Sequence, residues 1–360
     1  MKTGVLSSFA AVMAVFAGCA KTDFCAVSVS GREDGGIYHF QGEKVFHTSV
    51  PRSNYMIKLP GKGAYCVTQN GKRGQSGNIL LVRTFGGRAA QIVRTIPVKG
   101  ITPCHAAIAP DGKYIYTANY SSGTISEIPL PGKNPGTALP VRLIAHQGGS
   151  KVNRRRQSAP HPHFVGFNPV RRELFVCDLG MDRVMIYPYG ETGIREPAAE
   201  SLELPPGSGP RHLAFSPCGN RIFVANELNS TVTAFVLKNG KWQRGKTLST
   251  RKCGAAAAKN FPGAVKIAGD GRFFLVTNRG DDDIAIFAVL PNGDFKWCRN
   301  VPAQGGYPSD LMVDDARQQL RVINLKGGNI ATFAIKYRVE DMELRLLKKA
   351  KISRGIGLCD

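Results

Sequence analysis

The sequence predicts an all-β fold: a seven-bladed β-propeller closed by joining its N- and C-terminal strands in one blade. Three observations predict it. A strand–turn–strand unit recurs along the chain, its copies are spaced like four-stranded blades, and its apolar runs lack the alternation of a half-exposed sheet. The clearest copy runs Arg211-His212-Leu213-Ala214-Phe215-Ser216-Pro217-Cys218-Gly219-Asn220-Arg221-Ile222-Phe223-Val224-Ala225-Asn226-Glu227, then Ser230-Thr231-Val232-Thr233-Ala234-Phe235-Val236. It reads as an apolar strand, a Pro/Gly turn, a second apolar strand ending in polar residues, a tight turn and a third strand.

Taking His105, His163, Arg211, Gly263 and Pro308 as unit starts gives spacings of 58, 48, 52 and 45 residues, the length of a propeller blade. A degraded copy precedes them, from Tyr55 through Ala64-Tyr65-Cys66-Val67-Thr68 to Asn78-Ile79-Leu80-Leu81-Val82. The seventh copy is split. Phe24 to Ser30 and Gly36 to Phe40 lack a first strand, which the last residues, Ile352 to Leu358, can supply. Joining both ends in one sheet leaves no free terminal blade. Runs such as Phe273-Phe274-Leu275-Val276 fit strands packed by a neighbouring blade on each face.

The chain has 360 residues, and its 41 Gly and 22 Pro imply many turns. The net charge of +22 comes from scattered Lys and Arg, and no nucleic-acid-binding module is recognisable. An anionic small molecule is therefore the expected partner rather than nucleic acid. The one dense basic run, Lys151-Val152-Asn153-Arg154-Arg155-Arg156, reads as a solvated loop.

Residues 1–19 read as an export signal, with Lys2 ahead of an uncharged apolar run from Val5 to Phe16. Phe16-Ala17-Gly18-Cys19 resembles a bacterial lipobox, which makes Cys19 the expected lipidation site, with simple secretion the alternative. The expected location is thus the periplasm or outer surface of a bacterium, any membrane contact being that anchor. Residues 24–360 form the single propeller. The nine cysteines contain no C-x-x-C pair and no zinc-type Cys/His spacing. Isolated in strand-like runs, they read as small buried hydrophobes rather than a disulfide framework, and no metal or other cofactor is expected.

In a propeller the innermost strands line a central channel, so polar residues at strand ends near the axis are the natural site-builders. The candidates are His105, Asn119, His163, Asp178, Arg211, Glu227 and Arg279. The segments Pro160-His161-Pro162-His163-Phe164, Asp178-Leu179-Gly180 with Asp182-Arg183, Gly207-Ser208-Gly209-Pro210-Arg211-His212, Asn226-Glu227-Leu228-Asn229-Ser230-Thr231-Val232 and Asn278-Arg279-Gly280 resemble the seven-bladed propeller lactonases. That family includes propeller-type 6-phosphogluconolactonases and the carboxy-cis,cis-muconate cyclases. The resemblance covers Phe24 to the C-terminus. It departs at Ala264 and Lys266, where family members carry an acid-x-His pattern, and at Pro308-Ser309-Asp310, where they often show Pro-Arg.

The resemblance implies a channel site of His163, Arg211, Glu227 and Arg279 for opening a sugar lactone. His163 or Glu227 would serve as base and acid, and Arg211 and Arg279 would hold a carboxylate, phosphate or oxyanion. His105, Asn119, Asp178 and His212 are assigned to substrate binding beside them. Two other functions fit the same fold: cycloisomerisation of a muconate-type acid, and a non-catalytic surface propeller that binds a sugar or a protein.

Overall fold

The computed structural model describes residues 23–61, 63–130, 140–254 and 259–360; the segment expected to be an export signal and Cys19 lie outside them. The described residues contain no helix, and their strands form seven antiparallel sheets. We number the blades I to VII in chain order, with the split blade last. The first strands are Ser53–Lys58, Pro103–Ile108, Pro162–Phe167, Pro210–Phe215, Phe261–Ala268, Pro308–Asp314 and Gly355–Cys359. Each touches the next around the axis, and Gly355–Cys359 touches Ser53–Lys58 to complete the ring.

Blade VII is assembled from both chain ends. Gly355–Cys359 pairs with Asp23–Ser28, which pairs in turn with Gly36–Gln41 and, beyond it, Lys44–Ser49. The copy that looks degraded in sequence is a complete four-stranded blade I, ending in the strand Arg88–Pro97.

Each of seven apolar clusters lies between two adjacent blades, so every interface of the ring is filled. The second strand of blade V shows why its apolar run does not alternate. Phe273 and Leu275 face blade VI, whereas Phe274 and Val276 face blade IV, and all four are fully buried. Burying a side chain of this size is worth about 1.5–3 kcal/mol, so a polar residue on either face would cost a blade interface.

One irregularity recurs and positions everything that follows. Each innermost strand slips register against its neighbour in the same blade, leaving Asn54, Cys104, His163, Arg211, Gly263 with Ala264, Ser309 and Ile356 without an opposed residue. A β-bulge of this kind bends the strand and re-aims the unpaired side chain. In the five clear repeats a proline immediately precedes the unpaired residue: Pro103, Pro162, Pro210, Pro262 and Pro308.

Candidate active site in the central channel

A cavity of about 410 Å³ opens at one end of the channel. Of the unpaired residues, Asn54, Cys104, His163, Arg211, Ser309 and Ile356 all line it. Blade V contributes Gly263 instead, and a Cβ there would stand 2.5 Å from the Thr277 hydroxyl and 3.3 Å from Arg279 Nε. The missing side chain leaves room for Arg279.

A second ring of lining residues sits at the ends of the second strands: Asn70, Tyr120 and Glu227 one position past them, and Arg279 as the last residue of its strand. The structure thus brings His163, Arg211, His212, Glu227 and Arg279 together on one cavity.

Glu227 is the hub. Its Oε2 accepts a hydrogen bond from Arg279 Nη2 at 2.7 Å and lies 3.2 Å from Arg211 Nε, while its Oε1 accepts from Arg156 Nη2 at 2.7 Å. Burial by itself would raise this carboxyl, but Arg279, Arg211, His163 and Arg156 outweigh it and hold the group well below the usual carboxylate range. Glu227 is therefore a permanent carboxylate at neutral pH. It gathers three guanidiniums at the cavity.

Arg211 is 6% exposed, and burial, helped by the like charge of Arg279, lowers it to about 10. It stays cationic at neutral pH. Its Nε and Nη1 are buried and make no hydrogen bond, the contact of Nε with Glu227 being an ion pair without hydrogen-bond alignment. Arg279 is better satisfied, donating to the Phe261 and Pro262 carbonyls as well as to Glu227, with the Tyr307 ring 5.3 Å from its guanidinium. Three guanidiniums facing one carboxylate leave a surplus of positive charge at the cavity.

His163 is kept neutral. Loss of hydration first, then Arg211, pushes its pKa well below the ordinary value, with Glu227 pulling the other way. Cys104 Sγ lies 3.7 Å from His163 Nδ1. Burial raises the Cys104 thiol to about 12, so it remains protonated beside the imidazole.

Three residues assigned to substrate binding stand elsewhere, two of them by a displacement of one position. Asn119 is wholly buried behind the wall, donating to the Thr124 and Ser126 hydroxyls at 3.1 and 2.8 Å. It braces the blade, and the next residue, Tyr120, reaches the cavity. Asp178 is likewise buried, accepting from the His161, Gly180 and Met181 amides and contacting His146 Nδ1 at 2.6 Å. His105 follows the unpaired Cys104. It stacks on Tyr55 at 4.1 Å and meets Phe164 and His212 at 4.4 and 5.1 Å, in an aromatic layer drawn from blades I to IV. At Cys104–His105 the one-residue step exchanges cavity for packing layer.

Arg156 was expected in a solvated loop and instead enters the site. Lys151 to Arg155 are exposed, but Gln157 is fully buried and donates to Leu179 O and Asp182 Oδ1, pinning the loop against blade III. That anchor delivers Arg156 to Glu227 and to the Tyr120 hydroxyl, 3.1 Å from its Nε. Cys104, Tyr120 and Tyr307 are further lining residues that the motifs alone do not single out.

The ring of seven blades with a cationic channel site defines a propeller of the lactonase type. The family profile described as "Lactonase, 7-bladed beta-propeller" matches residues 38–355, and the chain belongs to that family. It is 31% identical over 238 residues to the 6-phosphogluconolactonase of Bacillus subtilis, covering 66% of this chain and 67% of that protein. Among solved structures, the periplasmic gluconolactonase PpgL of Pseudomonas aeruginosa superposes with a TM-score of 0.82 at 27% identity, over 93% of this chain and 98% of that one. A Lactobacillus plantarum protein superposes with a TM-score of 0.83 at 24% identity, covering 94% and 98%, and so shares the fold.

Proposed function

We propose that this chain is a lactonase that hydrolyses a negatively charged sugar lactone, of the 6-phosphogluconolactone type, in the channel cavity. The observation that carries the reading is Arg211, a buried cation on the cavity wall with two nitrogens that make no hydrogen bond. A buried donor without a partner is costly, and an anionic group of the substrate, or the oxyanion formed from its carbonyl, would satisfy it.

The chemistry follows from the charges. Neutral His163 takes a proton from a water as the water oxygen bonds to the lactone carbonyl carbon. Arg211 and Arg279 hold the oxyanion or the fixed anionic group, with Glu227 keeping both guanidiniums in place. The ring C–O bond then breaks, and the His163 imidazolium returns its proton to the leaving oxygen, giving an open hydroxy acid and a neutral histidine.

Relatives described as a 6-phosphogluconolactonase and a periplasmic gluconolactonase support the substrate class. The second also supports an extracytoplasmic location, and with the lipobox-like segment we propose an exported protein anchored through Cys19. Labelling with a clickable fatty acid tests this: the label is expected on the full chain and absent from Cys19→Ala, and a label that persists in the variant rejects the anchor.

For the activity, purified protein is offered δ-gluconolactone and its 6-phosphate. Arg211→Ala is expected to lower kcat/KM by about 100-fold, the scale of one lost oxyanion donor, with thermal unfolding nearly unchanged. Undiminished rates reject the site. No turnover of any lactone in a broad panel rejects the enzyme in favour of a binding propeller.

A further inference from the structure

Blade VII is the place where the ring is closed by a strand from each chain end, and two cysteines meet there. Cys359 on the innermost strand and Cys25 on its neighbour are directly opposed in the antiparallel register. No other two of the eight described cysteines are opposed in a strand pair. Both side chains leave the sheet on the same face. They belong to one apolar cluster, with Val27, Ile37, Met56 and Tyr65, between blades VII and I. Directly opposed residues of an antiparallel pair have Cα atoms about 4.5–5.5 Å apart. A disulfide needs about 4.4–6.8 Å, so the backbone already has the required spacing.

We propose that Cys25 and Cys359 form a cross-strand disulfide that latches the propeller ring. Two thiols give up two protons and two electrons as the S–S bond forms. The electron acceptor is a disulfide-bearing oxidant, either a small disulfide such as oxidised glutathione or a thiol–disulfide oxidoreductase, which is reduced to two thiols. The attacking thiolate first forms a mixed disulfide with the oxidant, and the second thiolate then displaces it.

Burial shapes when this happens. Cys25 is 0% and Cys359 8% exposed, and loss of hydration raises both thiols to about 12 in the finished blade. Exchange therefore belongs to the stage at which the C-terminal strand is docking, and the finished bond is shielded from reductant. The link spans residues 25 to 359, so it removes nearly the longest loop the chain can close from the unfolded ensemble.

The test refolds the full chain in glutathione couples from reducing to oxidising, then quenches in acid, alkylates in denaturant and digests. Mass spectrometry is expected to find a peptide linking Cys25 to Cys359 in the oxidised protein. The thermal midpoint should rise by roughly 5 °C relative to the reduced chain, and the rise should vanish in Cys25→Ala. The variant also reports directly, since its Cys359 should be alkylated under every condition. Full alkylation of both cysteines in oxidised wild-type protein, a link to another cysteine, or a linked peptide with an unchanged midpoint overturns the proposal.

Discussion

Glu227 draws its character from its neighbours rather than from its type. Glu227→Gln removes the charge that gathers Arg156, Arg211 and Arg279 while keeping nearly the same shape. We expect lactone turnover to fall by at least 100-fold in this variant, because the guanidiniums then repel one another across an uncompensated site. Steady-state kinetics beside a thermal melt separates loss of site order from loss of fold. Arg156, by contrast, is one-third exposed and reaches in from a loop. Arg156→Ala is expected to act chiefly through KM, weakening capture of a phosphorylated lactone more than an uncharged one. Equal effects on both substrates would mean that Arg156 only braces Glu227. Gly263 gives a third check: Gly263→Val places a side chain against Thr277 and Arg279 and should cost activity even though position 263 carries no reactive group.

At the level of strands, the recurring device is a polar bracket at the end of the second strand, followed in blades II, IV and V by a residue that lines the cavity. Asn226 Nδ2 donates to the Thr231 and Thr233 hydroxyls at 2.9 Å each, and Asn324 Nδ2 donates to Ala303 O and Asn329 Oδ1. Asn226→Ala leaves the buried Thr233 hydroxyl and the half-buried Thr231 hydroxyl short of a donor, and chemical denaturation should show a loss of about 1–3 kcal/mol. Brackets and working residues look alike in a sequence: the strand-end pattern points directly to Glu227 and Arg279 in blades IV and V and falls one residue short of Tyr120 at Asn119, whereas in blade III neither Asp178 nor Leu179 lines the cavity. The same step separates His105 from Cys104. Repeat spacing and apolar runs made the blades legible because they are local patterns. Arg156 was not legible, because its placement depends on Gln157 bonding to Leu179 and Asp182, contacts more than 20 residues away in the chain.

Across the whole molecule, three histidines, two buried and the half-buried His163 on the cavity wall, couple the ring to pH. His105, His163 and His212 are each held well below the ordinary value, by loss of hydration first and then by neighbouring positive charge. An unfolded chain takes up these protons near pH 6.5, which the folded one resists, so this part of the stability is complete above about pH 6.5 and lost as the pH falls. Glu227 has the same sign in a lower window, below its unperturbed 4.5. Calorimetric midpoints should be level from pH 7 to 8, decline below about 6.5 and decline further below 4.5. His212→Phe should flatten the first decline, and a level midpoint down to pH 5 in the wild-type chain would contradict the account. The register slip in each innermost strand carries a different consequence. It sets the wall-facing residues apart from the hydrogen-bonded ladder, so the wall amounts to a seven-character word, read around the axis as Asn, Cys, His, Arg, Gly, Ser, Ile. A mutation at one character rewrites what the mouth accepts without editing the sheet that displays it, and such a scaffold can change its diet while keeping its skeleton.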